Sequence, residues 1–181
     1  MKNTFLAITL FGSLAVLTSG HAAEPSGTTR VVPDAVKVSP SEVLLFTAKA
    51  RGVQIYVGQA SKDDPTKYEW VFKAPEADLF DAQGKKIGHH FAGPTWKSTD
   101  GSSVAGTLKG HAPSPDANAV PWLLVSAKSH EGSGVFSAVT SIQRLETTGG
   151  KAPAGGCAPA DAGKELRVPY TAVYYFYGTK S

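Results

Sequence analysis

The sequence predicts an all-β fold, a single-domain β-sandwich or β-barrel of about nine or ten short strands. Apolar residues recur with a period of two, as in YEWVF, where Tyr68, Trp70 and Phe72 fall on one face. In addition, 19 glycines and 12 prolines punctuate segments that are rich in branched and aromatic residues. No segment has the length and periodicity of a long amphipathic helix.

Residues 1–23 have the layout of a secretory signal peptide. Lys2 precedes the apolar run FLAITLFGSLAVL, and small residues surround two cleavage points, after Ala22 and after Ala23. The run is shorter than the ~20 residues that a helix needs to span a bilayer, which favours export over a membrane anchor. We therefore expect a secreted or periplasmic protein with no membrane span in its mature chain.

The mature chain is predicted to consist of an arm and one β domain. Residues 24–40 are polar and interrupted by proline, which is typical of an extended arm. Residues 41–181 form the predicted β domain, whose first two strands, EVLLFTAKA and VQIYVGQA, are separated at Arg51-Gly52.

The later strands are predicted from the same signals. Gln83-Gly84 indicates a turn before a strand that ends in GHHF, and VPWLLVSAKS and VPYTAVYYFYG are bounded by proline or glycine. The segment GVFSAVTSIQRLETTGG also fits a helical face, but its density of Val, Thr and Ile favours a strand. Asp100-Gly101 predicts a tight hairpin in which Val104 or Ala105 lies opposite Trp96.

Charge and cysteine content exclude several function classes. The formal net charge is only +3 and no block of Lys or Arg stands out, so we expect no nucleic-acid partner. Cys157 is the single cysteine and cannot form an internal disulfide. With no histidine near it in sequence, we interpret it as a tolerated loop thiol and not as a nucleophile.

The stretch HHFAGPTWKSTDGSSVAG, residues 89–106, contains the candidate site. His89 and His90 point to opposite faces of a strand and cannot easily share one metal ion. The chain has no HxH, HExxH or cysteine pair, and Ser133 in EGSGV does not match GxSxG, so we predict neither a metal nor a cofactor. Rings beside His and Asp suit a small polar organic ligand or a glycan, and we predict His90, Trp96 and Asp100 as ligand-binding residues.

The sequence is compatible with three functions. The first is an exported β protein that binds a small molecule or glycan, without a defined catalytic set. The second is a hydrolase or isomerase that uses His90 with Asp100, which requires a hydrogen bond between them. The third is a structural or envelope-associated protein, which predicts a filled core and an exposed apolar patch.

Seven blocks resemble the family catalogued as domain of unknown function 3455, which occurs in exported bacterial and fungal proteins. The blocks are GVQIY (52–56), WVFKAPEADLFD (70–81), GHHFAGPTW (88–96), DGSSVAG (100–106), VPWLLVSAKS (120–129), VTSIQRLETTGGKAP (139–153) and VPYTAVYYFY (168–177). The resemblance implies no catalytic residue, because the family's role is unassigned. Some relatives bear names such as malate dehydrogenase, but this chain has no strand–GxGxxG–helix unit for a dinucleotide. Members of the family often have a cysteine at the position of Gly58. If that cysteine pairs with the one at the position of Cys157, the resemblance implies that this chain has lost one half of a disulfide.

The signal-peptide interpretation predicts that the mature protein begins at Ala23 or Glu24, because the apolar run ends just before Thr18, Ser19 and Gly20. Intact-mass measurement of the exported protein checks this. A mass that includes Met1 would contradict it.

Overall fold

Eight antiparallel strands close into a barrel in the computed structural model, which describes residues 31–180. Each strand pairs with the next along the chain, and β8 pairs with β1 to complete the circle. The strands are β1 (Glu42–Ala60), β2 (Tyr68–Phe80), β3 (Lys86–Phe91), β4 (Thr95–Ser98), β5 (Ser103–Ala112), β6 (Trp122–Glu131), β7 (Ser141–Gly149) and β8 (Glu165–Thr179). The all-β prediction is confirmed and the fold is a barrel. The predicted signal peptide lies outside the described residues.

The barrel interior combines small residues on one side with large rings on the other. Ala48 and Ala50 of β1 face inward, and Ala48 pairs with Tyr174 of β8. Rings from β4, β8 and the loop before β7 fill this space; the largest fully buried ones belong to Trp96, Tyr174, Phe136 and Phe176. Burial of each such side chain stabilises the fold by about 1.5–3 kcal/mol.

β1 is one strand of 19 residues, so the predicted break at Arg51-Gly52 was wrong. Gly52 pairs with Ala77 of β2 and with Tyr170 of β8 without interruption. A Cβ atom at Gly52 would lie 2.1 Å from the carbonyl oxygen of Glu76. The glycine therefore permits the close approach of β2 and does not turn the chain.

The other turn predictions fared better. Gly84 and Gly101 have φ angles of 81° and 93°, as tight turns at these positions require, and Trp96 pairs with Val104 as expected. In the ambiguous segment 134–150, only Ser141–Gly149 is a strand, and residues 134–140 form a turn-rich loop.

The described part of the N-terminal arm packs on the outside of the barrel. It contains a short 3-10 helix, Asp34–Val36, and the side chain of Val36 is fully buried. Val36 contacts an apolar strip on the outer face of β5, β6 and β7, made of Ala112, Trp122, Leu124 and Leu145. The Gln143 side chain also donates a hydrogen bond to the carbonyl of Val36. The arm therefore covers apolar surface that the barrel itself leaves exposed.

Cys157 is a half-buried free thiol in the loop before β8. A Cβ atom at Gly58 would lie 3.2 Å from its sulfur and 2.3 Å from the carbonyl oxygen of Asp161. Positions 58 and 157 are thus neighbours in space, in keeping with the pairing that the family resemblance implies.

None of the helices among residues 31–180 is long and apolar enough to cross a membrane.

Because Val36 is the buried contact of the arm, we expect Val36→Ala to lower the free energy of unfolding by about 1–3 kcal/mol. Urea denaturation of the mature protein measures this change. Val135→Ala is the matched control, since Val135 is half-exposed, and it should change stability by less than about 0.5 kcal/mol. Equal effects of the two substitutions would contradict the docking of the arm.

Candidate functional site

A cavity of about 430 Å³ lies at the end of the barrel where β1 contributes Gln54 and Tyr56. Most of its wall is apolar, with contributions from Leu123, Val125 and Ile142. Phe72 and Leu108 line it while remaining half-exposed, and they mark its opening to solvent. The groups in its wall with polar atoms are Gln54, Tyr56, Lys73, His90, Trp96, Arg144 and Tyr174. An apolar cavity with a few polar groups has the composition of a small-molecule site.

His90 and Trp96 lie together on the wall of this cavity. They are paired residues of β3 and β4, and their rings stack with centroids 4.4 Å apart and planes inclined by 12°. Tyr174 meets the His90 ring edge-on at 5.1 Å. The side chains of His90 and Trp96 are only 3% and 1% exposed, so the stack is a rigid part of the barrel interior.

His90 is a neutral imidazole of one tautomer. Its Nδ1 lies 2.9 Å from the Thr95 carbonyl oxygen, which only accepts hydrogen bonds, so Nδ1 carries the proton and Nε2 carries the lone pair. Burial lowers the pKa of His90 to about 3, and the nearby positive charge of Arg144 acts in the same direction. His90 therefore offers a hydrogen-bond acceptor at neutral pH and no charge.

His89 faces the outside, as the alternation of the strand predicts. Its Nδ1 lies 3.0 Å from a carboxylate oxygen of Asp78 on β2. The two histidines therefore belong to different environments. Within residues 31–180, no three His, Cys, Asp or Glu side chains are grouped as a metal site would require.

Asp100 does not line the cavity. Its Oδ1 accepts hydrogen bonds from the backbone N–H and the hydroxyl of Ser102, at 2.8 and 2.6 Å, and its Oδ2 accepts one from the Val135 N–H at 2.9 Å. These bonds, above all the Ser102 hydroxyl, hold the pKa of Asp100 well below its ordinary value. Asp100 thus ties the β4–β5 turn to the loop before β7. The structure brings His90 and Trp96 together, and neither His90 nor Asp100 uses the other as a hydrogen-bond partner.

Arg144 is a cavity residue that the sequence did not reveal. It lies on β7 opposite Tyr174 of β8, and its side chain is only 8% exposed. Its Nε and Nη2 donate to the carbonyl oxygen of Pro121 at 3.2 and 2.8 Å. No Asp or Glu is part of the cavity wall, and none of residues 31–180 forms an ion pair with Arg144. One signal was available in the sequence: Arg144 lies two residues after Ile142, so in a strand both side chains point to the same face. The sequence did not settle whether this segment is a strand or a helix.

Several buried polar atoms in the wall lack a hydrogen bond of normal geometry to the described residues. They are Nε2 of Gln54, Nε1 of Trp96 and the hydroxyl of Tyr174. Burial raises the pKa of Tyr174, so its hydroxyl stays protonated, and it interacts electrostatically with Arg144 and Tyr170. A buried polar group left unpaired costs about 1–3 kcal/mol. These atoms are almost inaccessible to solvent, and the hydroxyl of Tyr170 is a polar neighbour of both Gln54 and Tyr174.

Together these features define an up-and-down antiparallel barrel of eight strands with an internal cavity, an architecture of a size that can enclose one small ligand. The chain belongs to the family described as "Protein of unknown function (DUF3455)", whose model matches residues 39–178. That match confirms the resemblance derived from the sequence blocks. No curated protein matches the chain. The description of this family assigns no activity to its members.

The lowered pKa of His90 predicts a specific acid sensitivity. The pKa falls from 6.5 to about 3 on folding, so the neutral ring stabilises the fold above pH 6.5, and this contribution is lost as the pH falls from 6.5 towards 3. We expect the wild type to lose about 2–3 kcal/mol more stability than His90→Phe between about pH 7 and about pH 4.5. Urea denaturation at the two pH values measures the difference.

His89→Phe is the matched control, because His89 is exposed on the outer face. It should keep the acid sensitivity of the wild type. If His90→Phe kept it as well, His90 would not be the buried neutral group described above.

Proposed function

We propose that this protein binds one small organic molecule inside the barrel. The observation that carries the proposal is a cavity of about 430 Å³ whose wall is mostly apolar and includes a few polar groups, among them the buried side chain of Arg144. A ligand in this cavity would bury apolar surface and give Arg144 a further hydrogen-bond partner. The signal-peptide interpretation adds that the protein would act outside the cytoplasm.

A small molecule fits the cavity better than a glycan does. Sugars stack on an accessible aromatic face, whereas the ring of Trp96 is stacked on His90 and almost fully buried. The wall also has long apolar stretches, to which Leu123, Val125 and Ile142 contribute. Hydroxyl groups of a sugar would find no partners there.

The two other functions receive less support. A hydrolase or isomerase based on His90 and Asp100 needs these side chains to converge, but Asp100 is bonded to Ser102 and Val135. A purely structural protein predicts a filled core, whereas this barrel contains a cavity whose opening is marked by Phe72 and Leu108. Binding is therefore the function that the geometry favours.

The neutral fluorescent probe N-phenyl-1-naphthylamine tests the proposal, since its emission rises when it enters an apolar site. We expect the mature protein to bind about one equivalent of the probe. Leu123→Trp would place a larger side chain in the cavity wall and should weaken binding of the probe by about tenfold or more.

Leu44→Trp is the matched control, because Leu44 is half-exposed and does not line the cavity. It should change the affinity for the probe by less than about twofold. Absence of saturable binding to the wild type, or equal affinity of Leu123→Trp and the wild type, would overturn the proposal.

A further inference from the structure

We infer that the ligand is an apolar molecule carrying one anionic group, a carboxylate in its simplest form, which binds beside Arg144. This inference rests on the proposed function, because it names the class of molecule that the cavity takes. It follows from the unbalanced charge in the cavity wall, from the hydrogen-bond donors of Arg144 that the Pro121 carbonyl does not satisfy, and from the apolar residues in the rest of the wall.

The charges in the wall are unbalanced. Arg144 carries a positively charged guanidinium and is more than nine-tenths buried. The other polar groups around it, His90 and Tyr174, are neutral. Lys73 is the second cation in the wall, but it lies towards solvent and forms an ion pair with Glu165. Arg144 is thus a buried cation without a carboxylate partner among residues 31–180.

The Pro121 carbonyl satisfies only part of the Arg144 guanidinium. A guanidinium has five N–H donors, and this carbonyl accepts from Nε and Nη2. A neutral carbonyl oxygen compensates a buried positive charge far less than an anion does. A carboxylate is the group whose two oxygens match the remaining donors of the fork.

The hydrogen-bonding character of Arg144 points to the same ligand chemistry. Its guanidinium can only donate, so a ligand that satisfies it must present acceptor oxygens. Because an ionised acceptor forms the stronger hydrogen bond, an anion satisfies these donors better than a neutral amide or alcohol does.

The rest of the wall requires an apolar body. Leu123, Val125 and Ile142 lie on the same inner face of β6 and β7 as Arg144, and Leu123 is the residue paired with Arg144. Phe72 and Leu108 continue the apolar wall to the opening. A fully polar anion such as phosphate would leave this surface unfilled, whereas an aromatic or aliphatic monocarboxylate would cover it.

Displacement of the neutral probe N-phenyl-1-naphthylamine separates charge from shape. Naphthalene-1-acetate and naphthalene-1-acetamide share one ring system and differ in charge. We expect the acid to displace the probe from the wild type at a concentration lower by about tenfold or more than the amide does at neutral pH. In Arg144→Met, this preference should fall to about twofold or less while the probe still binds.

Two further variants control the result. Arg167→Met removes a surface arginine that pairs with Glu76 outside the cavity, and it should keep the full preference for the acid. Arg144→Lys keeps the charge without the planar fork, and it should keep the preference for the acid at a reduced size. This variant tests the role of the charge if Arg144→Met fails to fold.

The outcomes distinguish the two proposals. If the probe does not bind the wild-type cavity, the proposed function fails. If the probe binds but the acid and the amide displace it equally, or if Arg144→Met keeps the preference, the inference of an anionic ligand is overturned while the binding function stands.

Discussion

The pairing of β1 with β8 is the interaction on which the rest of this structure depends. It runs from Glu42 with Thr179 to Val57 with Glu165 and closes the barrel along nearly the whole length of both strands. Closure provides each strand with two neighbours and fixes which side chains point inward. A register shift of one residue would turn Tyr174 outward and remove it from its place opposite Arg144. The same closure requires β1 to stay continuous, which Gly52 permits by letting β2 approach its backbone.

The two ends of the barrel interior differ in how their polar groups are satisfied. At one end, Phe136 packs on Phe46 and Phe176. The loop that carries Phe136 is held in place because its backbone N–H groups donate hydrogen bonds to Asp100 and Ser102. Well-packed rings with satisfied polar neighbours are what stability alone would select. On the cavity side, Arg144 retains donors in an apolar wall, which opposes stability. Departures of this kind from the packing rules are expected where a protein binds something.

Much of the fold could be predicted from the sequence, because local signals specified it. The alternation of His89 and His90, the Asp100-Gly101 turn and the pairing of Trp96 with Val104 all follow from the period of two and from turn chemistry. The break at Arg51-Gly52 was predicted wrongly because a glycine that permits close approach looks the same in sequence as one that turns the chain. The docking of Val36 could not be predicted, since its partners lie on β5, β6 and β7, far away in the sequence.

The candidate site was only partly predictable for a related reason. His90 and Trp96 were found because they are close in sequence as well as in space. Arg144 was missed because its importance arises from its surroundings, which form only when β7 lies between β6 and β8. Asp100 was chosen for its chemistry, but the structure engages both of its oxygens in holding the β4–β5 turn to a loop. Its place as a ligand-binding residue therefore stays a prediction without support from the cavity.

The hydrogen bond from His90 to Thr95 connects the interior of the barrel with the edge of the cavity. Thr95 follows the short turn whose residues Ala92, Gly93 and Pro94 also line the cavity. The imidazole that stacks on Trp96 therefore holds the start of β4, and with it one side of the wall, in a fixed position. A charged imidazole could not be buried here beside Arg144 without a large free-energy cost, so the neutral state of His90 is a condition for this arrangement. His90 is thus a positioning residue that keeps the wall in place, while Arg144 would provide the charge that selects the ligand we infer.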